Sequence, residues 1–340
     1  MQKLPMTKKE KDEQFAAHLP GILQYHETML SDGVRNKLLN KAIKRHVNDK
    51  TSFLDIGAGT GVWSILAAKL GAKRVVAVEI EEALIPIIFK HAQENGVADK
   101  IEIIHGDSND VKLKAKFDVI VSELFGGDAI GRSTIESFID VRNRFLAPDG
   151  ILIPQALSAM AAPVWSPRAV EDIPKDLPIT YEFFRSLKLN YPRVLDLKSR
   201  GSLKFIADPV SLLDLDFMEV QTAPTGGMSA SWGLRDLSKA NGIVFFNRSI
   251  FSSGIEMNNF LSQSWGAAVY EFEPFSKGPG LLRFDLSVDD EKSMWKISCE
   301  GNPTPKQVIF SPTFGPARIR MLQQMTPHRR VKKKSSEKRK

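Results

Sequence analysis

Cysteine is almost absent from this chain. Cys299 stands alone in 340 residues, which excludes an internal disulfide and leaves the fold to a packed core. A single thiol fits a reducing compartment, so a cytoplasmic location is the expectation. No run of 18 or more residues is continuously apolar, and no membrane-spanning helix is expected. Residues 1–13 carry no apolar block of signal-peptide type. The body of the chain also lacks net charge. Residues 329–340 hold eight Lys or Arg against one acid, Glu337, and this equals the whole net charge of +7. Residues 1–328 therefore sum to zero, and the basicity belongs to a C-terminal tail. Such a tail is expected to be disordered. It is a candidate contact for nucleic acid, an acidic partner or a nuclear import receptor, and equally a plain solubilising tail.

What is present is ordinary globular material. Apolar residues make up 42% and charged residues 26%, and the length leaves room for two domains and a large core. The most informative stretch is Phe53-Leu-Asp-Ile-Gly-Ala-Gly-Thr-Gly-Val-Trp63. A short apolar run of strand type leads into Gly57, Gly59 and Gly61, then into a helix that stops at Gly71. Glycines let a turn tighten and let a ligand approach the main chain closely. A second strand, Lys73 to Glu79, ends in a carboxylate 18 residues past Gly61, close to the spacing of an acid that grips a ribose.

The dinucleotide spacing G-x-G-x-x-G is missing, however, and an acid, Asp55, lies inside the motif. A carboxylate there repels a pyrophosphate and suits the cationic amino group of an amino-acid-bearing ligand. S-adenosylmethionine (SAM) is such a ligand, and the stretch resembles the first SAM-binding motif of the class I methyltransferases.

Further strands are predicted at 100–105, 117–123 and 151–154. Helices are predicted from about residue 24 to 47, with Val34, Leu38, Ala42 and Ile43 on one face, and at 82–95 and 133–146, the last stopped by Ala147-Pro-Asp-Gly150. Five strands alternating with helices imply a doubly wound, Rossmann-like parallel sheet over residues 23–154, after a polar lead-in over 1–22. Its strand ends bring Asp55, Glu79, Asp107 and Glu123 to one edge, where ligands bind. After Pro154 the rhythm changes to short apolar runs separated by Pro, Gly and Ser. Strands are predicted at 201–207, 216–221, 242–246, 266–272, 280–286 and 293–298. An all-β barrel or sandwich over 155–325 follows, with a protruding arm or surface helix near 171–198 and the basic tail at 326–340.

A methyltransferase domain followed by a β domain of this size resembles the protein arginine methyltransferase family. Tyr25-His-Glu-Thr-Met-Leu-Ser-Asp-Gly-Val-Arg-Asn36 is similar to its N-terminal helix. Asp55–Gly61 and Ala77-Val-Glu79 match its SAM motifs. Ser122-Glu-Leu-Phe-Gly126 resembles the start of its double-glutamate loop, and Arg142–Pro154 the segment after it. The resemblance implies SAM as cofactor, with Arg35 on the SAM carboxylate and Glu79 on the ribose. It also implies Gly57 and Gly59 along the cofactor, and Ser108 and Asn109 near adenine, Asn109 replacing the usual acid. No metal site is implied. The implied partners are a protein substrate and a second subunit, either the same chain or a paralogue.

The substrate side departs from the family. Two glutamates nine apart ordinarily clamp the acceptor guanidinium. Here Glu123 is present, and Arg132 stands at the second position. The histidine of the family's T-H-W loop is replaced by Ser264 in Ser262-Gln-Ser-Trp265. Tyr25 and His26 are retained as members of a proton network. Two like charges about 4 Å apart repel by roughly 4 kcal/mol at an effective dielectric near 20, so Arg132 opposes a cationic acceptor. Two readings follow. One is a SAM-dependent methyltransferase acting on arginine or a related nitrogen. The other is a catalytically inactive, SAM-binding scaffold that pairs with an active paralogue.

Overall fold

The computed structural model describes residues 8–124, 132–167, 179–181, 189, 192–258, 260–288, 293–300 and 306–310. The predicted tail and most of the segment 171–198 lie outside them.

The α/β half is built on five parallel strands: β1 (Ser52–Ile56), β2 (Arg74–Glu79), β3 (Ile101–His105), β4 (Phe117–Ser122) and β5 (Leu146–Ile153). Their order is β3-β2-β1-β4-β5. Val75–Val78 of β2 and Phe53–Leu54 of β1 are fully enclosed, as befits parallel strands covered on both faces. Helices α3 (Val62–Lys69), α4 (Ile85–Glu94) and α5 (Arg132–Phe145) supply that cover. The chain runs outward from β1 to β3 on one side, then returns to β4 and β5 on the other. A crevice therefore opens at the carboxyl ends of β1 and β4.

Two N-terminal helices close this crevice. The first, α1 (Lys8–Leu30), begins inside the stretch read as a polar lead-in and passes through Pro20. Polarity in this segment does not preclude a helix, since Lys, Glu, Gln and Ala are good helix formers. The second, α2 (Gly33–His46), is a separate helix. Asp32 breaks the chain and caps α2, accepting the Arg35 N–H at 3.1 Å. The buried face of α2 is Arg35, Leu39, Ala42 and Ile43; Ala42 and Ile43 are as predicted, Arg35 and Leu39 replace Val34 and Leu38, and Val34 is exposed.

Near the junction of the halves two expectations are corrected. Residues 147–150 do not stop the helix as a loop; they belong to β5, which starts at Leu146 and carries a register shift opposite Phe117–Val119. The strand predicted at 216–221 is instead β9 (Val210–Asp216) followed by a turn. Asp216 accepts the Met218 N–H at 2.8 Å, bending the chain. Phe217 then turns inward and stacks on Phe138 of α5, with centroids 4.4 Å apart.

The β half consists of two antiparallel sheets. The larger contains β6 (Ala156–Trp165), β7 (Arg193–Leu195), β8 (Lys204–Phe205), β9, β11 (Gly242–Ser252), β12 (Ile255–Asn258) and β13 (Ala267–Glu271). The smaller is β10 (Gly227–Leu234), β14 (Gly280–Val288), β15 (Ser293–Cys299) and β16 (Lys306–Phe310). Tyr270 of β13 meets Phe284 and Trp295 of the smaller sheet at 5.2 and 5.3 Å, so the two sheets share one core. The same core runs on into the α/β half. Arg142 of α5 donates to the Phe217 carbonyl, and Arg45 and His46 of α2 bond Ser252. These ties bring the loop 262–265 of the β half against the crevice.

Candidate active site

A cavity of about 670 Å³ opens at the carboxyl edge of β1, β2 and β4, under α1 and α2. Eight of the sequence-predicted residues line it: Tyr25, His26, Arg35, Asp55, Gly57, Gly59, Glu79 and Glu123. Ser108 and Asn109 do not line it. They stand on the turn after β3, where the Ser108 carbonyl accepts from Arg144 and the Asn109 side chain bonds Asp107. Arg132 opens α5, and its side chain falls outside the described residues.

The floor is the glycine loop. Gly57 and Ala58 donate their N–H groups to the Val78 carbonyl at 2.9 and 3.0 Å, which folds the loop back over β2. Gly59 has φ of 58°, and a Cβ there would lie 2.9 Å from His26 Cε1. Glycine is required twice over at this position, by its left-handed backbone and by the imidazole packed against it. The loop also aims its own Gly59 N–H at Glu79 Oε2, at 2.7 Å, while the Glu81 N–H reaches Oε1 at 2.8 Å. Glu79 is thus fixed by main chain, with one lone-pair direction left on each oxygen.

Asp55, at the end of β1, accepts both the N–H (3.0 Å) and the hydroxyl (2.7 Å) of Ser64. Burial pushes its pKa up to about 7; the Ser64 hydrogen bonds oppose this, and the nearby Glu79 and Glu123 charges add to it. His26 is held below the ordinary imidazole pKa, mainly by burial and further by Arg35, against the pull of Glu79. Its ring stands edge-on to Tyr25, at 5.4 Å. Tyr25 itself is 56% exposed.

The other end of the cavity holds an arrangement that the sequence does not announce. Arg35 forks onto Glu123: Nε donates to Oε1 and Nη2 to Oε2. Trp63 Nε1 donates to Oε2 at 3.2 Å, and Trp265 Nε1 to Oε1 at 3.1 Å. Each carboxylate oxygen takes one guanidinium N–H and one indole N–H, which fills the usual acceptor capacity of the group. The Arg35 guanidinium also lies over the Trp63 ring, 5.4 Å from its centroid. Arg35 and Glu123 side chains are 7% and 8% exposed, so this is a buried ion pair.

Trp63 and Trp265 are not among the site residues that the sequence motifs point to. Trp63 sits in the first turn of α3, immediately after the glycine loop, and that placement is the one signal available in the sequence. Trp265 ends the Ser262-Gln-Ser-Trp265 loop. That loop is hooked onto Asp32, which accepts from Ser262 Oγ, from Ser264 Oγ at 2.8 Å and from the Ser264 N–H at 3.0 Å. These hydrogen bonds hold the Asp32 carboxyl below its ordinary pKa, although burial alone would raise it.

Comparison with known proteins agrees with this architecture. The family described as ribosomal protein L11 methyltransferase (PrmA) matches residues 37–156. A probable protein arginine N-methyltransferase 6.2 of Oryza sativa subsp. indica is 36% identical over 150 residues, covering 43% of this chain and 38% of its own length. The protein arginine N-methyltransferase PRMT10 of Oryza sativa subsp. japonica is 37% identical over 164 residues, covering 46% of this chain and 41% of its own. The matched region thus spans about two fifths of these relatives. The solved Trypanosoma brucei PRMT1 enzyme-prozyme heterotetrameric complex with AdoHcy superposes with a TM-score of 0.69 at 18% identity, covering 84% of this chain and 96% of that one. The chain is thus similar in sequence to protein arginine N-methyltransferases over its α/β half, and similar in fold to a solved member over both halves.

Proposed function

We propose that the chain is a SAM-dependent methyltransferase that methylates a guanidinium or related nitrogen of a protein substrate. The observation that carries the reading is the single cavity joining a glycine loop with a main-chain-fixed Glu79 to a second carboxylate, Glu123, at the other end. The residues present fit SAM. The two open lone-pair directions of Glu79 suit a pair of ribose hydroxyls, and Asp55 suits an ammonium group. Arg35, whose fork is held by Glu123 here, is the lining arginine for which a carboxylate of SAM would compete.

SAM, when bound, supplies an electrophilic methyl group. Glu123 binds two N–H groups of an acceptor guanidinium and draws its positive charge toward them. The third nitrogen is left richer in electrons and better able to attack in line. His26, whose pKa burial lowers, is an imidazole on the wall able to receive the proton that this nitrogen gives up. Tyr25 stands beside it and extends the network toward solvent.

Similar relatives are named as methyltransferases, and both ends of the cavity are furnished. These two facts favour an enzyme over an inactive scaffold. A homodimer, or a heteromer with a paralogue, is part of the same proposal, as is a cytoplasmic site of action with the basic tail as the only nucleic-acid or nuclear-import element. Sedimentation of the intact chain as a monomer at every concentration would remove the assembly.

The test of the reading is isothermal titration with SAM, followed by radiolabelled methyl transfer to an arginine-rich protein. Wild type should bind SAM. Arg132→Glu should raise transfer, because a cation at that position opposes both acceptor binding and activation, and Glu123→Gln should abolish it. Absence of SAM binding overturns the proposal. Good wild-type transfer that falls in Arg132→Glu would show that Arg132 has another role.

A further inference from the structure

The loop 262–265 is gripped by two opposite charges. Asp32 takes its donors, the hydroxyls of Ser262 and Ser264 and the Ser264 N–H. Arg200 takes its carbonyls. It stands in α6 (Leu197–Ser202), a short helix that follows directly on β7 and is capped by Asp196, which accepts the Ser199 N–H at 2.6 Å. Nε of Arg200 donates to the Leu195 carbonyl at 2.9 Å, Nη1 to that of Ser262, and Nη2 to that of Trp265 at 3.0 Å. The side chain is buried, 5% exposed. One guanidinium thus pins the first and the last residue of the turn and ties both to the end of β7. Within the turn, Ser262 Oγ accepts the Trp265 N–H at 2.9 Å. The main chain of Trp265 is therefore held at its N–H and at its carbonyl, which sets the direction in which the indole leaves the loop. That indole ends on Glu123 Oε1.

We propose that Arg200 is a positioning residue of the candidate active site, orienting Glu123 at a distance by fixing the turn from which the Trp265 indole reaches it. The proposal rests on the reading of Glu123 as the acceptor carboxylate and deepens it by naming what aims that group. Three separate carbonyls call for a flat cation with donors on three nitrogens. A lysine offers its donors from one atom and does not cover all three. Glu123 has one indole partner from its own half, Trp63, and one from the β half, Trp265. When the turn slackens, the second indole is lost, the carboxylate loosens, and a nitrogen bound to it strays from the in-line path. Glu79 is fixed by the Gly59 and Glu81 N–H groups, so cofactor binding should be spared.

The relay can be read without any methyl transfer. In full-length, cofactor-free Arg200→Lys, with folding checked by circular dichroism, the indole N–H resonances are followed by NMR. Trp265 should shift or broaden, and Trp63 should follow because both indoles serve Glu123. Trp232, whose indole donates to the Asp208 carbonyl in the same β half, is the control and should stay in place. Where Arg200→Lys fails to fold, Arg200→Gln is read in the same way. A moved Trp232 means general loosening, an unmoved Trp265 means that the turn holds itself, and an unmoved Trp63 means that Glu123 keeps its pose; each overturns the proposal. In the transfer assay Arg200→Lys should lower kcat about tenfold and leave the Kd for SAM within about twofold. In a Trp265→Phe background the same substitution should lower kcat no further, and a full additional loss there overturns the relay. A wild type that binds no SAM while its variant shows the resonance pattern loses the methyltransferase reading and keeps the positioning of Glu123.

Discussion

At one end of the cavity Glu79 is held by the main-chain N–H groups of Gly59 and Glu81; at the other, Glu123 is held by the side chains of Arg35, Trp63 and Trp265. The first carboxylate belongs to a βα unit that orients it whatever the neighbouring side chains are. The second depends on three parts of the chain arriving together: α2, the start of α3, and a loop of the β half. Two acids of the same cavity thus differ in what would disturb them. The Glu79 end should tolerate substitution as a fold. The Glu123 end should lose stability on substitution.

The largest expected effect is at Glu123. Glu123→Gln removes one partner of a buried ion pair and leaves Arg35 uncompensated. The expected cost is about 3–5 kcal/mol of unfolding free energy, read by urea denaturation of the cofactor-free chain. A stability within error of wild type would mean that Arg35 finds water or another partner freely, and the contrast between the two ends would collapse.

Asp55 lies between the two ends and feels both carboxylates. Its folded pKa, about 7, stands above the ordinary aspartate value of about 3.9, so the folded state binds the proton more tightly. Its contribution to stability is therefore fully present below about pH 4. It is lost as pH rises to about 7, by up to about 4 kcal/mol. Stability measured across that window should slope downward in wild type and flatten in Asp55→Asn. Parallel profiles for the two proteins would remove Asp55 as the source.

Cofactor affinity sharpens the comparison. Glu79→Ala and Arg35→Ala should each weaken SAM binding by about 1.5–3 kcal/mol, the range for hydrogen bonds to charged groups. Only Arg35→Ala should also destabilise the cofactor-free chain, since only Arg35 pairs with a buried charge there. Calorimetry paired with denaturation separates the two variants, and equal stability losses would count against the distinction.

The smallest effect concerns the hook between the halves. Asp32→Ala removes the cap of α2 and the anchor of Ser262 and Ser264, at an expected cost of about 1–2 kcal/mol. It should also loosen Trp265 from Glu123, visible as a shift of the Trp265 indole resonance. A sharp, unmoved resonance would show that packing alone places Trp265.

The contrast between the ends also explains which parts were legible in the sequence. The parallel sheet was readable because its strands are buried on both faces and so appear as apolar runs closed by glycine turns. Of the predicted face of α2, Ala42 and Ile43 hold, while Arg35 and Leu39 are buried in place of Val34 and Leu38; an arginine is buried there because Glu123, the Met29 carbonyl and Asn36 satisfy its guanidinium. The turn at Phe217 looks like a strand in the sequence because Phe217 is apolar for its packing against Phe138 of α5, a contact with no local signature.

By itself the sequence determined the glycine loop, Asp55 and the grip on Glu79. Those partners lie within about twenty residues, and main-chain donors are present whatever side chains the loop carries. The tertiary structure alone decided the fate of Glu123. Its partners lie 88, 60 and 142 residues away, and side-chain donors converge on one carboxylate only when the packing of both halves brings them there.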